Sequence, residues 1–127
     1  MIHHDGSKPI YVQISDWIET EILRGNFEPD QKVYSQYQLA EMFNINPATA
    51  AKGLNVLANE MILYKKRGLG LFVASDARER IVNRRKNETL KQLVVNVVME
   101  AKYLQVSETV LVEMIHNVYN EIKEDGS

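Results

Sequence analysis

The stretch from Ser35 to Val73 constrains this chain more than any other. Leu39, Ala40 and Phe43 fall at helical spacing, the turn residues Asn44-Ile45-Asn46-Pro47 follow, and a second apolar series, Ala50, Leu54, Leu57, Ala58 and Met61, begins directly after Pro47. Proline is accepted at the first position of a helix and breaks a helix interior. The two series therefore belong to separate short helices joined by a tight turn. Helices joined in this way form a helix-turn-helix unit, whose second helix fits the major groove of DNA. Behind it, Lys65-Lys66-Arg67-Gly68-Leu69-Gly70 reads as a basic hairpin, or wing. Nucleic-acid binding is the first function to weigh.

The flanking segments give the architecture. Ile10, Ile14, Ile18 and Ile22 recur every four residues and are widened by Val12, Trp17 and Leu23, which predicts an amphipathic helix over 10–24. Pro9 suits its first turn and Gly25-Asn26 ends it. Residues 26–34 read as a loop leading into a very short extended segment at Lys32-Val33. Ser35 is the expected N-cap of a helix over 36–43, and Asn46 that of a helix over 47–60 with Asn59 near its stop. Ile62-Leu63-Tyr64 and Leu71-Phe72-Val73 flank a glycine turn, a hairpin signal. Met1 to Lys8 has no periodicity and is expected to be loose. After a break at Ala74-Ser75-Asp76, residues 77–104 read as one uninterrupted helix, basic in its first half and apolar in its second. Ser107 caps a last helix, and Glu124-Asp125-Gly126-Ser127 reads as a frayed end.

Composition excludes several classes. A length of 127 residues allows one domain, or one small domain with an oligomerisation appendage. The chain has no cysteine, so disulfide and thiolate chemistry are out. It shows neither a signal-peptide core nor an apolar run long enough for a membrane span, and a cytoplasmic protein without membrane partners is expected. Nothing resembles a phosphate loop, a nucleophile elbow or paired catalytic carboxylates, so no catalytic residue, enzyme activity or cofactor is assigned. His3, His4 and His116 lack metal-ligand spacing, and no metal site is expected. The net charge of −2 argues against a nucleic-acid partner, since such modules are often strongly basic. Distribution offsets this: Asp16, Glu19, Glu21, Glu28 and Asp30 gather in the first helix and its loop, whereas Lys52, Lys65, Lys66 and Arg67 gather on the second helix and wing.

Pro9-Ile10-Tyr11, Gln13-Ile14, Ile18, Ile22, Gly25, Pro29, Ser35, Leu39-Ala40, Asn46-Pro47-Ala48-Thr49, Leu57, Gly68, Gly70 and Phe72-Val73 occur in an order and spacing that resemble the GntR family of bacterial transcription regulators. The short two-helix tail, with Asn-Pro in the turn, resembles the YtrA subfamily. The resemblance implies a mainly α fold with a small β-wing: a winged helix-turn-helix DNA-binding domain at 8–75, followed by a two-helix dimerisation hairpin within 76–127. It also implies contact of the wing tip, Arg67 and Gly68, with the minor groove. Lys65 and Lys66 join them as candidate DNA contacts, the alternative being a solvated turn. On the second helix the candidates are Asn46, Ala48, Thr49 and Lys52; Asn46 serves equally as a pure cap and Ala48 as a filler. The family's Leu-Pro-Ser-x-Arg run reads Val33-Tyr34-Ser35-Gln36-Tyr37 here, and Pro47 replaces a common turn arginine, so two arginine contacts are missing. Ser35, Gln36 and Tyr37 can still bond phosphate. Arg78, Arg80, Arg84, Arg85 and Lys86 read as the solvated start of a long helix in preference to a phosphate-facing surface.

The tail argues for a homodimer. Leu90, Leu93, Val94, Val97, Val98, Leu111, Ile115 and Val118 form an apolar hairpin with little of its own chain left to cover it. Burying one such side chain is worth about 1.5–3 kcal/mol, so a second copy is the simplest cover. The expected function is a homodimeric, sequence-specific transcription regulator on an inverted-repeat operator, with repression the expected sense and double-stranded DNA and itself as partners. Two alternatives stand beside it. One adds a small-molecule effector at the dimer or domain interface, since the tail is short for a self-contained pocket of ~300 Å³. The other is a winged protein–protein adaptor without DNA binding.

Overall fold

A computed structural model describes residues 2–122. In chain order it contains α1 (Ile10–Leu23), α2 (Gln36–Phe43), α3 (Pro47–Asn59), β1 (Leu63–Lys66), β2 (Gly70–Val73), α4 (Ala77–Arg84), a π-helical segment (Arg85–Leu90), α5 (Lys91–Tyr103) and α6 (Glu108–Glu121). The fold is mainly α with one small antiparallel sheet, as the sequence predicts. The chain divides into two compact units, one ending at Arg84 and the other beginning at Arg85.

The core of the first unit grows from the isoleucine stripe. Ile14, Ile18 and Ile22 of α1 are buried with Leu39 of α2, Ala50, Leu54 and Leu57 of α3, and Ile62, Leu63 and Val73 of the hairpin. Helix α1 packs tightly on α3 at Gly53, where a β-carbon would lie 2.8 Å from the Tyr11 carbonyl oxygen and 3.0 Å from Ile14 Cβ. The buried Ser15 hydroxyl donates to the Gly53 carbonyl at 2.7 Å across this crossing. Polar satisfaction and close packing thus meet at one point.

Both predicted caps form. The Ser35 hydroxyl accepts the Gln38 N–H at 3.1 Å, and the Gln38 side chain accepts the Ser35 N–H at 2.8 Å, a reciprocal capping box. Asn46 Oδ1 accepts the Ala48 N–H at 2.7 Å, with Pro47 at the first helical position. Asn44 takes a left-handed φ of 55° between them, a conformation that asparagine tolerates better than most residues. The far end of α3 departs from expectation. Met61 is 62% exposed at φ 63° and is no part of the core. The Ile62 N–H closes onto the Leu57 carbonyl, and Ile62 takes the buried place instead.

Helix α4 belongs to this first unit, so its compact body runs past Ser75, where the composition break suggested a boundary. Ala77 and Ile81 join the core, the Arg78 guanidinium donates to the Leu23 carbonyl, and Arg84 pairs with the buried Glu19 and with Glu60. Arg80 pairs at 2.8 Å with Asp76, the residue just before the helix. Arg78 and Arg84 are therefore structural tethers where a solvated face was expected. The N-terminal arm is also less loose than expected. Gln13 binds the backbone of His3 in both directions, at 2.6 and 2.7 Å, and Ile2 packs against the core.

In the second unit the expected single helix is interrupted by the π-helical segment at 85–90. No residue of that segment is buried, so its widened winding costs no packing. Ser107 caps α6 as predicted, accepting the Val110 N–H at 3.2 Å. Among the described residues of this unit Ala101 alone is buried. The expected frayed end at 124–127 lies outside the described residues. No helix among the described residues is long and apolar enough to cross a membrane.

Candidate nucleic-acid interface

The wing is built by register. Leu63 pairs with Val73, Tyr64 with Phe72, Lys65 with Leu71 and Lys66 with Gly70. Side chains alternate between faces along a strand. Lys65 therefore shares the inner face with the buried Leu63, and Lys66 shares the outer face with Tyr64 and Phe72. Arg67-Gly68-Leu69 closes the hairpin, with the Leu69 N–H on the Lys66 carbonyl at 2.9 Å. Gly68 and Gly70 adopt φ values of 77° and 121°, which strain any residue bearing a β-carbon. Arg67 and Gly68 form an exposed tip.

The loop after α1 adds a third edge to the wing. Lys32 bridges Phe72, the Val33 N–H bonds the Leu71 carbonyl at 2.9 Å, and the Asp30 N–H bonds the Val73 carbonyl at 2.7 Å. The extended segment predicted at Lys32-Val33 is therefore present. The Tyr64 hydroxyl donates to Asp30 Oδ1 at 2.6 Å, and this bond to a carboxylate holds the phenol pKa above its ordinary value.

A cleft of about 250 Å³ opens between the start of α2, the side of α3 and the wing. Ser35, Gln36, Tyr37 and Lys65 from the predicted set line it, together with Ala51 and Asn55. Tyr37 stands 70% exposed at its edge. The other predicted residues lie outside this cleft. Asn46 is the cap, Ala48 and Lys52 lie exposed on α3, and Thr49 is half-buried. The Lys52 ammonium sits 4.2 Å from the centre of the Tyr11 ring, so it is held against α1 by a cation–π contact. Lys66 lies 4.4 Å from the Phe72 ring centre, on the face opposite Lys65.

Sequence reasoning missed Asn55 and Lys32. Asn55 continues the exposed face of α3 at helical spacing from Lys52, a signal present in the periodicity. Lys32 joins the wing only through a bridge between distant segments. The acidic charges are partly neutralised, Glu19 by Arg84, Asp16 by Lys8 at 3.0 Å and Glu21 by Arg24 at 3.7 Å.

The second unit carries the predicted dimerisation residues. Leu90, Leu93, Val94, Val97, Val98, Ile115 and Val118 are all exposed, and Leu111 is half-buried. Between α5 and α6, Val97, Leu111, Met114, Ile115, Val118 and Ile122 line an open apolar groove of about 390 Å³. Among the described residues no three His, Asp or Glu side chains converge on a metal-sized site.

Residues 10–73 match the model of the bacterial regulatory proteins of the gntR family. The chain is 31% identical over 122 residues to the HTH-type transcriptional repressor YtrA of Bacillus subtilis, covering 94% of this chain and 88% of that protein. Its match to the repressor NagR of the same organism is 38% over 71 residues, 56% of this chain but 29% of NagR. Among solved structures, a GntR family transcriptional regulator from Listeria monocytogenes superposes with a TM-score of 0.72 at 32% identity, covering 94% of this chain and 99% of that one. The AraR DNA-binding domain in complex with operator ORX1 superposes with a TM-score of 0.54 at 29% identity, over 58% of this chain and 95% of that one. With the helix-turn-helix, the two-glycine wing and the C-terminal helices all present, the chain belongs to the gntR family of bacterial transcription regulators.

Proposed function

We propose that this chain is a cytoplasmic, homodimeric repressor that reads an inverted-repeat operator, with α3 in the major groove and the wing tip in the neighbouring minor groove. The observation that carries this reading is the cleft shared by α2, α3 and the wing, where Ser35, Gln36, Tyr37, Asn55 and Lys65 face one ligand-sized space. Backbone-binding groups on α2 and the wing would fix register, leaving the exposed face of α3 for base edges. Pairing of two copies through the apolar faces of α5 and α6 would supply the second half-site. The repressor sense is supported by likeness to YtrA and NagR.

Selection of bound fragments from a random duplex pool, using the full chain, tests this reading. The expected product is two inverted half-sites whose centres lie about 10 base pairs apart or a multiple of that. A protein–protein adaptor would recover no sequence and show no steep salt dependence on random duplex. A second reading is favoured by the groove on α5 and α6, whose volume of about 390 Å³ lies in the range of small-molecule sites. An apolar effector there would change operator affinity at constant subunit number.

A further inference from the structure

Lys32 is one of several cations of the first unit, with Lys52, Lys65, Lys66 and Arg67, that make no ion pair among the described residues. Lys8, Arg24, Arg80 and Arg84 each pair with a carboxylate. Lys32 has no carboxylate within ion-pair distance among the described residues. Asp30, its closest acidic residue in sequence, is engaged by the Tyr64 hydroxyl. The side chain of Lys32 lies across the backbone of Gly70: a β-carbon at Gly70 would stand 2.9 Å from Lys32 Cε and 3.7 Å from its Nζ. The Lys32 side chain thus lies over the floor that Gly70 leaves open, and Asp30, which keeps its charge when the neutral Tyr64 hydroxyl binds it, makes no ion pair with it.

Register places this cation. Lys32 bridges Phe72 and so shares its face, and Phe72 pairs with Tyr64. Lys66 falls on the same outer face two residues after Tyr64. Lys66 and Lys32 therefore flank β2 from either side. Strands lie about 4.8 Å apart, so their backbones are separated by about 10 Å across the sheet. Two cations at that separation suit a run of phosphates better than a single small anion. Lys65 projects from the inner face, toward the α2–α3 cleft.

We propose that Lys32, together with Lys66, is a phosphate-backbone anchor on the outer face of the wing, so that the wing is held between two DNA strands, Lys65 facing one and Lys32 and Lys66 the other. This inference rests on the DNA-binding reading above and adds a residue from outside the hairpin to it. The anchor carries no base information. It sets affinity and salt dependence uniformly across sequences.

The test is a salt titration of duplex binding by the full chain, using a random-sequence duplex and a selected operator, for wild type, Lys32→Ala and Lys32→Arg. Each lost phosphate contact lowers the slope of log K against log salt by about 0.9, which amounts to a roughly fivefold loss of affinity at 0.15 M salt. Lys32→Ala is expected to show that drop on both duplexes, and Lys32→Arg to restore it. Because the Lys32–Phe72 bridge is made by backbone, melting of Lys32→Ala should match wild type. An unchanged slope in Lys32→Ala, or a loss confined to the operator, overturns the anchor. Failure of wild type to bind either duplex overturns the DNA-binding reading itself, and so separates the two.

Discussion

Gly53 shows how one residue decides the packing of the DNA-binding unit. Its φ is not in the left-handed region, so clearance and not backbone freedom explains the glycine. Two opposing effects meet in Gly53→Ala. Helix propensity favours alanine by about 0.8–1.0 kcal/mol in a helix interior. Against this, the new β-carbon would lie 2.8 Å from a backbone oxygen of α1 and 3.0 Å from Ile14 Cβ, and neither neighbour is a flexible chain end. Overpacking of this kind costs about 1–3 kcal/mol and would also disturb the 2.7 Å Ser15 bond. The steric term wins, so Gly53→Ala is expected to lower the melting temperature by several degrees. A rise on thermal denaturation would show that α1 and α3 can part at no cost. Residues whose role is local are the ones most legible in the sequence. Ser35, Asn46 and Ser107 cap helices because their side chains reach N–H groups two or three residues ahead.

At the scale of elements, Asn46 serves two proposed purposes that mutation can separate. Its side chain bonds the Ala48 N–H and starts α3, and its position at that start places it where such helices meet the groove. Asn46→Ala is expected to cost about 1 kcal/mol of stability through loss of the cap. Asn46→Asp should keep the cap and stability while weakening DNA binding, because a carboxylate repels phosphate. If Asn46→Ala alters neither melting nor DNA affinity, both roles fail. The elements also show where sequence reading stopped. The isoleucine stripe, the turn and the hairpin were legible because each follows from neighbours within a few residues. The placement of α4 was not, because Ala77 and Ile81 find their core across a long sequence separation, and Arg84 finds Glu19 in the same way. Met61 continued a helical period by its spacing, yet the closing bond from Ile62 to Leu57 turned it outward. Lys65 and Lys66 looked like one basic patch and proved to lie on opposite faces once the register was known.

At the scale of the whole molecule, the proposed homodimer would account for the second unit. Its exposed apolar residues, Leu93 at 54%, Val94 at 49% and Val97 at 44% among them, form a face that water would penalise in an isolated chain. In a two-fold dimer the same patch serves both copies, so a charge introduced once in the sequence appears twice at one interface. Val94→Asp is therefore expected to give monomers by light scattering at micromolar concentration, where wild type is expected to scatter as a dimer. The substitution lies in α5, beyond the compact unit that ends at Arg84, so the first unit should keep its own fold. Trp17, stacked on Tyr34 and edge-to-face with Phe43 in that unit, reports on it by fluorescence and should be unchanged. DNA binding should then persist weakly on a single half-site and no longer depend on the second. A chain ended after Arg84 should behave alike, whereas one ended at Ser75 should be less stable for want of Ala77, Ile81 and Arg84. A wild-type monomer at micromolar concentration would overturn the pairing of α5 and α6, and would leave their apolar groove to an effector.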